Sequence, residues 1–169
     1  AEAVLRETVK PYTVFKYGKS RIGVTGVGAQ VNSPGVSVAD PVKAVEKVVK
    51  VLREQEGCDT VICLANLGFK DSQYNNIKLA INTEGVDLII GGGKLAGRMH
   101  GTSVVKNTAG YDVFVTHTAP EAMAFNHTMF GNNHNIALRT IVPGLNSPME
   151  ASSALASINA LLNSQKISV

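Results

Sequence analysis

Asp59-Thr-Val-Ile-Cys-Leu-Ala-Asn66-Leu-Gly68 and Gly85-Val-Asp-Leu-Ile-Ile-Gly-Gly-Gly93-Lys-Leu95 are the two stretches of this sequence that decide its fold. Each is an apolar run of strand length that stops at a glycine-containing turn. Ligands of α/β proteins bind at the carboxyl ends of such strands. The two stretches therefore predict inner strands with a candidate site at their carboxyl ends, formed by Asn66, Gly92, Gly93, Lys94 and Leu95.

The segments between the strands have the pattern of helices. Asp40 and Pro41 provide an N-cap and a first-turn proline, and Gly57 ends the helix. A second helix is predicted over about residues 71–82. The order strand–helix–strand–helix–strand over residues 20–91 predicts parallel neighbours joined by right-handed crossovers. The apolar face of the first helix consists of Val42, Val45, Val48, Val49 and Leu52.

Hairpins are predicted on both sides of this parallel unit. Residues 12–17 and 20–27 are joined by a turn at Gly18 and Lys19, where glycine accepts a positive φ. After residue 100 the pattern changes to two further hairpins, which pair 102–106 with 112–118 and 125–130 with 135–142. The prediction is a single α/β domain over residues 1–169, with a C-terminal helix from about Ser147.

Composition excludes several classes of function. Apolar residues at 44% and charged residues at 17% are typical of a globular protein, and the net charge of +3 is too diffuse to favour nucleic acid. No apolar stretch approaches the ~20 residues that span a bilayer, and Ala1–Arg6 lacks the pattern of a signal peptide. Cys58 and Cys63 would lie about 16 Å apart on an extended strand, so two buried free thiols are expected.

Five segments resemble the 5'-nucleotidase branch of the metallophosphoesterases, in the order and at the spacing of that family. They extend from about Lys10 to Val142 and include both strand-end stretches. The resemblance implies the second half of a four-layer αββα metallophosphatase-like domain, with a mixed sheet, crossover helices and then β-hairpins. The five segments are Lys10–Val27, Asp40–Val42, Cys58–Ile62, Gly85–Gly92 and Asn107–Thr118.

The resemblance also implies a pair of divalent metal ions, and the sequence departs from the family where those ions would bind. The family holds the metals with Asp-x-His, a further Asp and Gly-Asn-His-Glu from its first half, and none of these patterns occurs here. Its second half adds the histidine of His-Leu-Gly and both histidines of Gly-His-Ser-His. Those positions hold Asn66, Gly93 and Leu95, so the resemblance implies a vestigial metal and phosphate pocket, which these residues form with Gly92 and Lys94. No catalytic residue and no bound cofactor are therefore expected.

The remaining chemical candidates are weak. Lys94 offers a cation to a phosphate beside the glycine turn, or else is a solvated surface lysine. His127 and His134 flank a predicted turn, and an antiparallel hairpin there would bring them close together, but a structural zinc site needs four ligands. The histidines that remain as weak metal candidates are His100, His117, His127 and His134.

These observations predict a non-catalytic 5'-nucleotidase-like domain with a binding or assembly role. The first alternative is one chain of a split metal-dependent nucleotide phosphohydrolase, completed by a partner. The second is an emptied pocket that now binds a small ligand such as haem or a nucleotide. In each case a protein partner or self-association is expected at the face that the family's first half would cover. The resemblance implies a periplasmic or cell-surface location, because the family is commonly exported from bacterial cells.

Overall fold

The computed structural model describes residues 9–29, 34–35, 37–69, 73–92, 101–117, 125–130 and 136–141. The strands in these ranges form a six-stranded mixed sheet and a separate two-stranded sheet. The large sheet has the order β1-β2-β3-β4-β6-β5. Its strands are β1 (Tyr12–Tyr17), β2 (Ser20–Val27), β3 (Thr60–Ala65), β4 (Leu88–Gly91), β5 (Gly101–Lys106) and β6 (Asp112–His117); the small sheet consists of β7 (Phe125–Phe130) and β8 (Ile136–Ile141).

The centre of the large sheet is parallel and both of its edges are antiparallel. Strands β2, β3, β4 and β6 are parallel to one another, as the strand–helix alternation predicted for the first three. At the edges, β1 pairs with β2 and β5 with β6 in antiparallel hairpins, which confirms the predicted hairpins. Gly18 has φ 59° in the first turn, the conformation for which glycine was expected there. The third predicted hairpin is the pair of β7 and β8.

The first crossover contains α1 (Pro41–Lys50), which continues as one π-helical turn over Val51–Gln55. The Asp40 carboxylate caps α1 by accepting hydrogen bonds from the backbone N–H groups of Val42 and Lys43, at 2.9 and 3.1 Å. The backbone hydrogen bond of Lys43 is the main cause that lowers the pKa of Asp40. The predicted helix start is therefore confirmed, while the π-helical turn was not foreseen.

The second crossover helix, α2 (Asn76–Asn82), is shorter than predicted. The prediction began at about residue 71, but Gln73 and Tyr74 are bends and Asn75 is extended with φ −148°. The Asn75 side chain accepts a hydrogen bond from the backbone N–H of Lys78 at 2.8 Å, so it is the N-cap. Asparagine competes with helical hydrogen bonds through its own side chain, and this makes the helix begin later than the apolar spacing indicated.

Both helices pack on one face of the large sheet. Odd-numbered side chains of β2, β3, β4 and β6 point toward the helices and form the core, while even-numbered side chains of the same strands point to the opposite face. Cys58 and Cys63 belong to this core and are free, as predicted, and burial raises the pKa of Cys63 to about 12. No helix in the described part of the chain is long and apolar enough to cross a bilayer.

The predicted C-terminal helix from Ser147 lies outside the described residues, as do Gly93, Lys94, Leu95, His100 and His134.

Candidate functional site

The carboxyl ends of β3, β4 and β6 lie side by side. Ala65 is in register with Gly91, and Gly91 is in register with His117. Since these three residues end their strands, Asn66 and Gly92, which follow β3 and β4, lie at one edge of the sheet. The two strand ends that the sequence predicted as neighbours are therefore adjacent, and the end of a third strand joins them.

Asn66 and Gly92 are brought together at this edge. The backbone N–H of Gly92 donates to the carbonyl of Ala65 at 2.6 Å, and that of Gly68 donates to the carbonyl of Gly92 at 3.3 Å. Both Asn66 and Gly92 are exposed. A Cβ atom on Gly92 would stand 3.5 Å from the Asn66 amide oxygen, so the Asn66 side chain lies directly beside the glycine turn.

His117 is buried beneath this edge and bonded to a residue that was not among the sequence-based candidates. Its side chain is 3% exposed, and its Nε2 atom lies 2.8 Å from the Nδ2 atom of Asn76, the first residue of α2. The Phe69 ring lies nearly perpendicular to the imidazole, with a centroid separation of 4.8 Å. The pair joins α2 to the end of β6, across 41 positions of sequence.

The pair passes directly over Gly91. A Cβ atom at Gly91 would stand 2.6 Å from Asn76 Nδ2 and closer still to His117 Nε2. Every residue larger than glycine would therefore collide with both polar side chains. Gly91 is needed here because of this close approach, not because of its own backbone conformation.

The imidazole of His117 is neutral in this environment. Burial lowers its pKa, because the charged form loses hydration that the surrounding groups do not replace. With the Asn76 amide NH₂ group as donor, Nε2 of the neutral ring is the acceptor. A metal ion bound at Nε2 would have to displace the hydrogen bond from Asn76.

Asn76 is completely buried, and only one of the two polar atoms of its side chain has a hydrogen-bond partner among the described residues. Its Nδ2 atom is bonded to His117, whereas its Oδ1 atom has no hydrogen-bond partner among the described residues. The sequence carried a signal for this residue, because Asn76, Leu79 and Ala80 lie on the buried face of α2 at positions i, i+3 and i+4. A polar residue on such a face indicates a specific buried contact.

The donor atoms at this edge do not fit the pair of metal ions that the resemblance implies. Asn66 offers a neutral amide oxygen, and the residues at the other two family positions, Gly93 and Leu95, have no ligating side-chain atom. Within the described ranges, no group of three or more His, Cys, Asp or Glu side chains is placed to hold a metal ion. His127 is exposed on β7.

A cleft of about 1020 Å³ opens at the opposite end of the parallel strands. Arg53, from the π-helical turn, crosses it and donates to Asp87 at 2.6 Å, to the carbonyl of Gly85 at 2.8 and 3.0 Å, and to the carbonyl of Asp59 at 2.7 Å. Arg53 therefore links the π-helical turn to the residues that precede β3 and β4. The charged lining residues are Glu46, Lys50, Arg53, Glu54, Glu84, Asp87 and Asp112.

Comparison with solved structures supports the fold. The chain is similar to a 5'-nucleotidase precursor from Thermus thermophilus with a TM-score of 0.62 and 23% identity, covering 94% of this chain and 36% of that one. It is similar to the NAD nucleotidase of Haemophilus influenzae with a TM-score of 0.65 and 18% identity, covering 93% and 38%. For the Thermus thermophilus sulfate thiohydrolase SoxB the TM-score is 0.61 with 18% identity, covering 92% and 29%.

These similarities establish that the chain has a 5'-nucleotidase-like metallophosphoesterase fold, as the sequence resemblance predicted. The chain spans about a third of the length of these solved structures. No family model matches the chain, and no curated protein matches it.

Proposed function

We propose that this chain is a non-catalytic domain of 5'-nucleotidase-like fold whose role is binding or assembly. The observation that carries the proposal is the donor set at the carboxyl ends of β3, β4 and β6. Where the resemblance implies imidazole ligands, the sequence has Asn66, Gly93 and Leu95. A two-metal hydrolase stabilises the attacking and leaving oxygens with its metal ions, and this donor set lacks the ligands to hold them.

His117, Asn76 and Gly91 support the same proposal. The one imidazole that the described residues bring to this edge is buried and neutral, and Asn76 occupies its acceptor nitrogen. Gly91 lets these two side chains fill the space above the end of β4. The groups at this edge therefore stabilise the fold through one another, and we assign them no step in catalysis.

A binding role is supported by the sheet face opposite the helices. Phe15, Leu64 and Ile90 are 51%, 49% and 43% exposed on that face, although they belong to strands that also build the core. Contiguous exposed apolar surface on a soluble domain is typical of an interaction site. We propose that this face binds protein and that the domain acts in the periplasm or at the cell surface, as the resemblance implies.

A second candidate is one chain of a split phosphohydrolase, in which a partner supplies the missing ligands. The observation that favours it is the exposed apolar side chains of Phe15, Leu64 and Ile90 on the sheet face opposite the helices, which offer a surface for such a partner. The two candidates differ in one respect that can be measured. The non-catalytic domain has no metal-dependent hydrolysis with or without its partner, whereas the split enzyme gains hydrolysis when the partner is added.

The test measures phosphate release from AMP and NAD with Mn²⁺, Co²⁺, Zn²⁺ or Mg²⁺, together with the melting temperature under the same conditions. We expect no release above the metal-only blank and no rise in melting temperature. Metal-dependent release by the purified chain would overturn the proposal. Thermal stabilisation by haem or a nucleotide without hydrolysis would instead favour the emptied pocket as a ligand site.

A variant that restores the three histidines is the matched control. Asn66→His, Gly93→His and Leu95→His together place imidazoles at the family positions of the same chain. We expect this triple variant to gain measurable Zn²⁺ affinity by calorimetry, because three imidazoles are a sufficient donor set for zinc. Such a gain would show that the assay detects metal binding at this edge when ligands are present.

A further inference from the structure

The buried contact between Asn76 and His117 engages only one end of the Asn76 amide. The Nδ2 atom of Asn76 lies 2.8 Å from His117 Nε2, and both side chains are buried. The Oδ1 atom of Asn76 is buried as well and has no hydrogen-bond partner among the described residues. A side-chain amide has a donor end and an acceptor end, so this contact uses the donor end and leaves the acceptor end idle.

Asn107 is another buried asparagine, and both ends of its amide are engaged. Its Nδ2 atom donates to the carbonyl of Thr83 at 3.3 Å. Its Oδ1 atom accepts from the backbone N–H groups of Ala109 and Tyr111 at 3.1 and 2.9 Å. Rotating this amide by half a turn would break these bonds and place like groups against each other, so its orientation is fixed. The same rotation at Asn76 would cost no described hydrogen bond at the Oδ1 end.

The packing around Asn76 fixes the place of the amide but not the order of its two ends. A Cβ atom at Gly91 would stand 2.6 Å from Asn76 Nδ2, so the amide lies directly over the end of β4. The amide is planar, and its oxygen atom and NH₂ group are close to each other in size. A half turn therefore exchanges a donor for an acceptor at His117 without moving a larger group into the space above Gly91.

The two ends of the amide suit the two protonation states of His117. In the neutral ring, Nε2 accepts from the Asn76 NH₂ group. When the ring takes up a proton from solvent, both of its nitrogens become donors, and the NH₂ group would then face another donor. The amide oxygen would instead accept from Nε2–H, in a stronger bond than the one it replaces, because the donor is charged.

The charged side chains of the described elements around His117 do not offer it an alternative partner. Every charged or titratable residue of α2, β5, β6 and β7, apart from His117 itself, is exposed, and β4 contains none. Burial is accordingly the cause that lowers the pKa of His117. Among the described groups, the Asn76 amide is therefore the one placed to respond to a charge on the ring. The exposed residues are Lys78, Lys106, Asp112 and His127.

We propose that Asn76 and His117 form a pH-sensitive switch, in which protonation of the imidazole rotates the Asn76 amide by half a turn. The lone pair of Nε2 takes the proton, the bond from Nδ2–H to Nε2 breaks, and a bond from Nε2–H to Oδ1 forms in its place. The contact between α2 and β6 persists in both states. The carboxyl end of the parallel strands changes from neutral to positively charged.

The first experiment is an NMR titration of the His117 ring in the folded chain between about pH 8 and pH 4. Asn76→Leu keeps the approximate shape of the side chain and removes both ends of the amide. If the amide rotates, it stabilises the charged ring more than the neutral one, so this variant should lower the midpoint by roughly half a pH unit or more. If the amide does not rotate, its NH₂ group stabilises only the neutral ring, and the variant should raise the midpoint. A raised or unchanged midpoint overturns the switch.

Asn82→Leu is the matched control, because Asn82 is an exposed asparagine of the same helix. Its midpoint should equal that of the unaltered chain.

A second measurement needs no variant and keeps the test decisive if Asn76→Leu does not fold. Scalar couplings across hydrogen bonds should connect Asn76 Nδ2 with His117 Nε2 in neutral solution, and Nε2–H with the Asn76 side-chain carbonyl in acid. The Asn107 amide should keep its bonds throughout. The switch is wrong if the bond to Oδ1 is already present in neutral solution, if the Nδ2 coupling survives the titration, or if the chain unfolds without a folded imidazolium. Neither experiment involves metal or hydrolysis, so the switch and the proposed function are tested separately.

Discussion

The two ends of the parallel strands are stabilised by opposite kinds of chemistry. At the amino end, Arg53 binds three backbone carbonyls and the Asp87 carboxylate in a network that stays partly open to water. At the carboxyl end, Asn76 and His117 form a neutral pair that is almost completely buried. Among the described residues, the ion pair of Arg53 and Asp87 thus lies at the end opposite to the one where the resemblance implies chemistry.

This difference matters because metal binding and hydrolysis need charge at the reacting end. Carboxylates and free imidazoles hold metal ions and activate water, whereas an amide bonded to a neutral imidazole does neither. The carboxyl end has the geometry of a strand-end site, while its described buried polar side chains, Asn76 and His117, bond to each other and leave only Asn76 Oδ1 without a described partner. Substitutions at the two ends should therefore differ in size and in their dependence on pH.

The largest effect is expected at Gly91. Gly91→Ala places a Cβ atom 2.6 Å from Asn76 Nδ2 and closer still to His117 Nε2, so the buried pair must move. We expect a loss of about 3 kcal/mol in the free energy of unfolding, measured by urea denaturation. The control is Gly92→Ala, whose Cβ would stand 3.5 Å from Asn66 Oδ1 in ordinary contact, and it should cost less than about 1 kcal/mol.

A double variant shows whether the collision is the cause. In Gly91→Ala with His117→Ala the imidazole is gone, so the combined loss should be smaller than the sum of the two single losses by at least about 1 kcal/mol. Additive losses would mean that Gly91 is needed for a reason other than the pair above it.

The next effect is expected at the amino end. Arg53→Met keeps much of the aliphatic stem and removes every hydrogen bond to Gly85, Cys58, Asp59 and Asp87. We expect a loss of about 2 kcal/mol in the free energy of unfolding. A fully buried network would cost more, but the side chains of Arg53 and Asp87 are 27% and 25% exposed, so water screens their interaction. Lys106→Met breaks an ion pair with Asp112 whose side chains are 69% and 54% exposed, and should cost under about 0.5 kcal/mol. Equal losses for the two variants would contradict this account of the amino end.

Much of the fold could be predicted because it depends on local patterns. The apolar runs of β3 and β4, the turn at Gly18 and the cap at Asp40 each specify their element within a few residues of sequence. The start of α2 was placed too early, because the Asn75 cap overrides the apolar spacing before it. The π-helical turn at Val51–Gln55 has no sequence signal that we recognise.

The sequence predicted where the candidate site lies, but not which buried side chains are in contact there. Asn66 and the glycine turn lie together as the strand ends indicated. The contact of His117 with Asn76 depends on β6 joining the sheet next to β4, a pairing between distant segments that periodicity does not encode. From the sequence, His117 was expected only as a weak metal candidate, because a sequence does not reveal which atoms surround a histidine.

A smaller effect, seen through pH, is expected from His117. Burial lowers the folded-state pKa of His117 from its ordinary value of 6.5, so the unfolded chain takes up a proton first as the pH falls. Stability should be unaffected by this group above pH 6.5 and should fall below it, with a slope of at most about 1.4 kcal/mol per pH unit. His117→Gln, which keeps an acceptor for Asn76, should lose this slope, whereas His127→Gln on the exposed side of β7 should keep it. An identical slope in all three proteins would show that another group causes the pH dependence.

The smallest effect is expected from a single histidine at the carboxyl end. Asn66 is exposed, so Asn66→His should change the free energy of unfolding by less than about 0.5 kcal/mol. The new imidazole has no carboxylate or free imidazole beside it in the described part of the chain, so calorimetry with Zn²⁺ or Mn²⁺ should show no gain in affinity. Tight binding by this single variant would reveal further ligands at this edge and would contradict the proposed non-catalytic role.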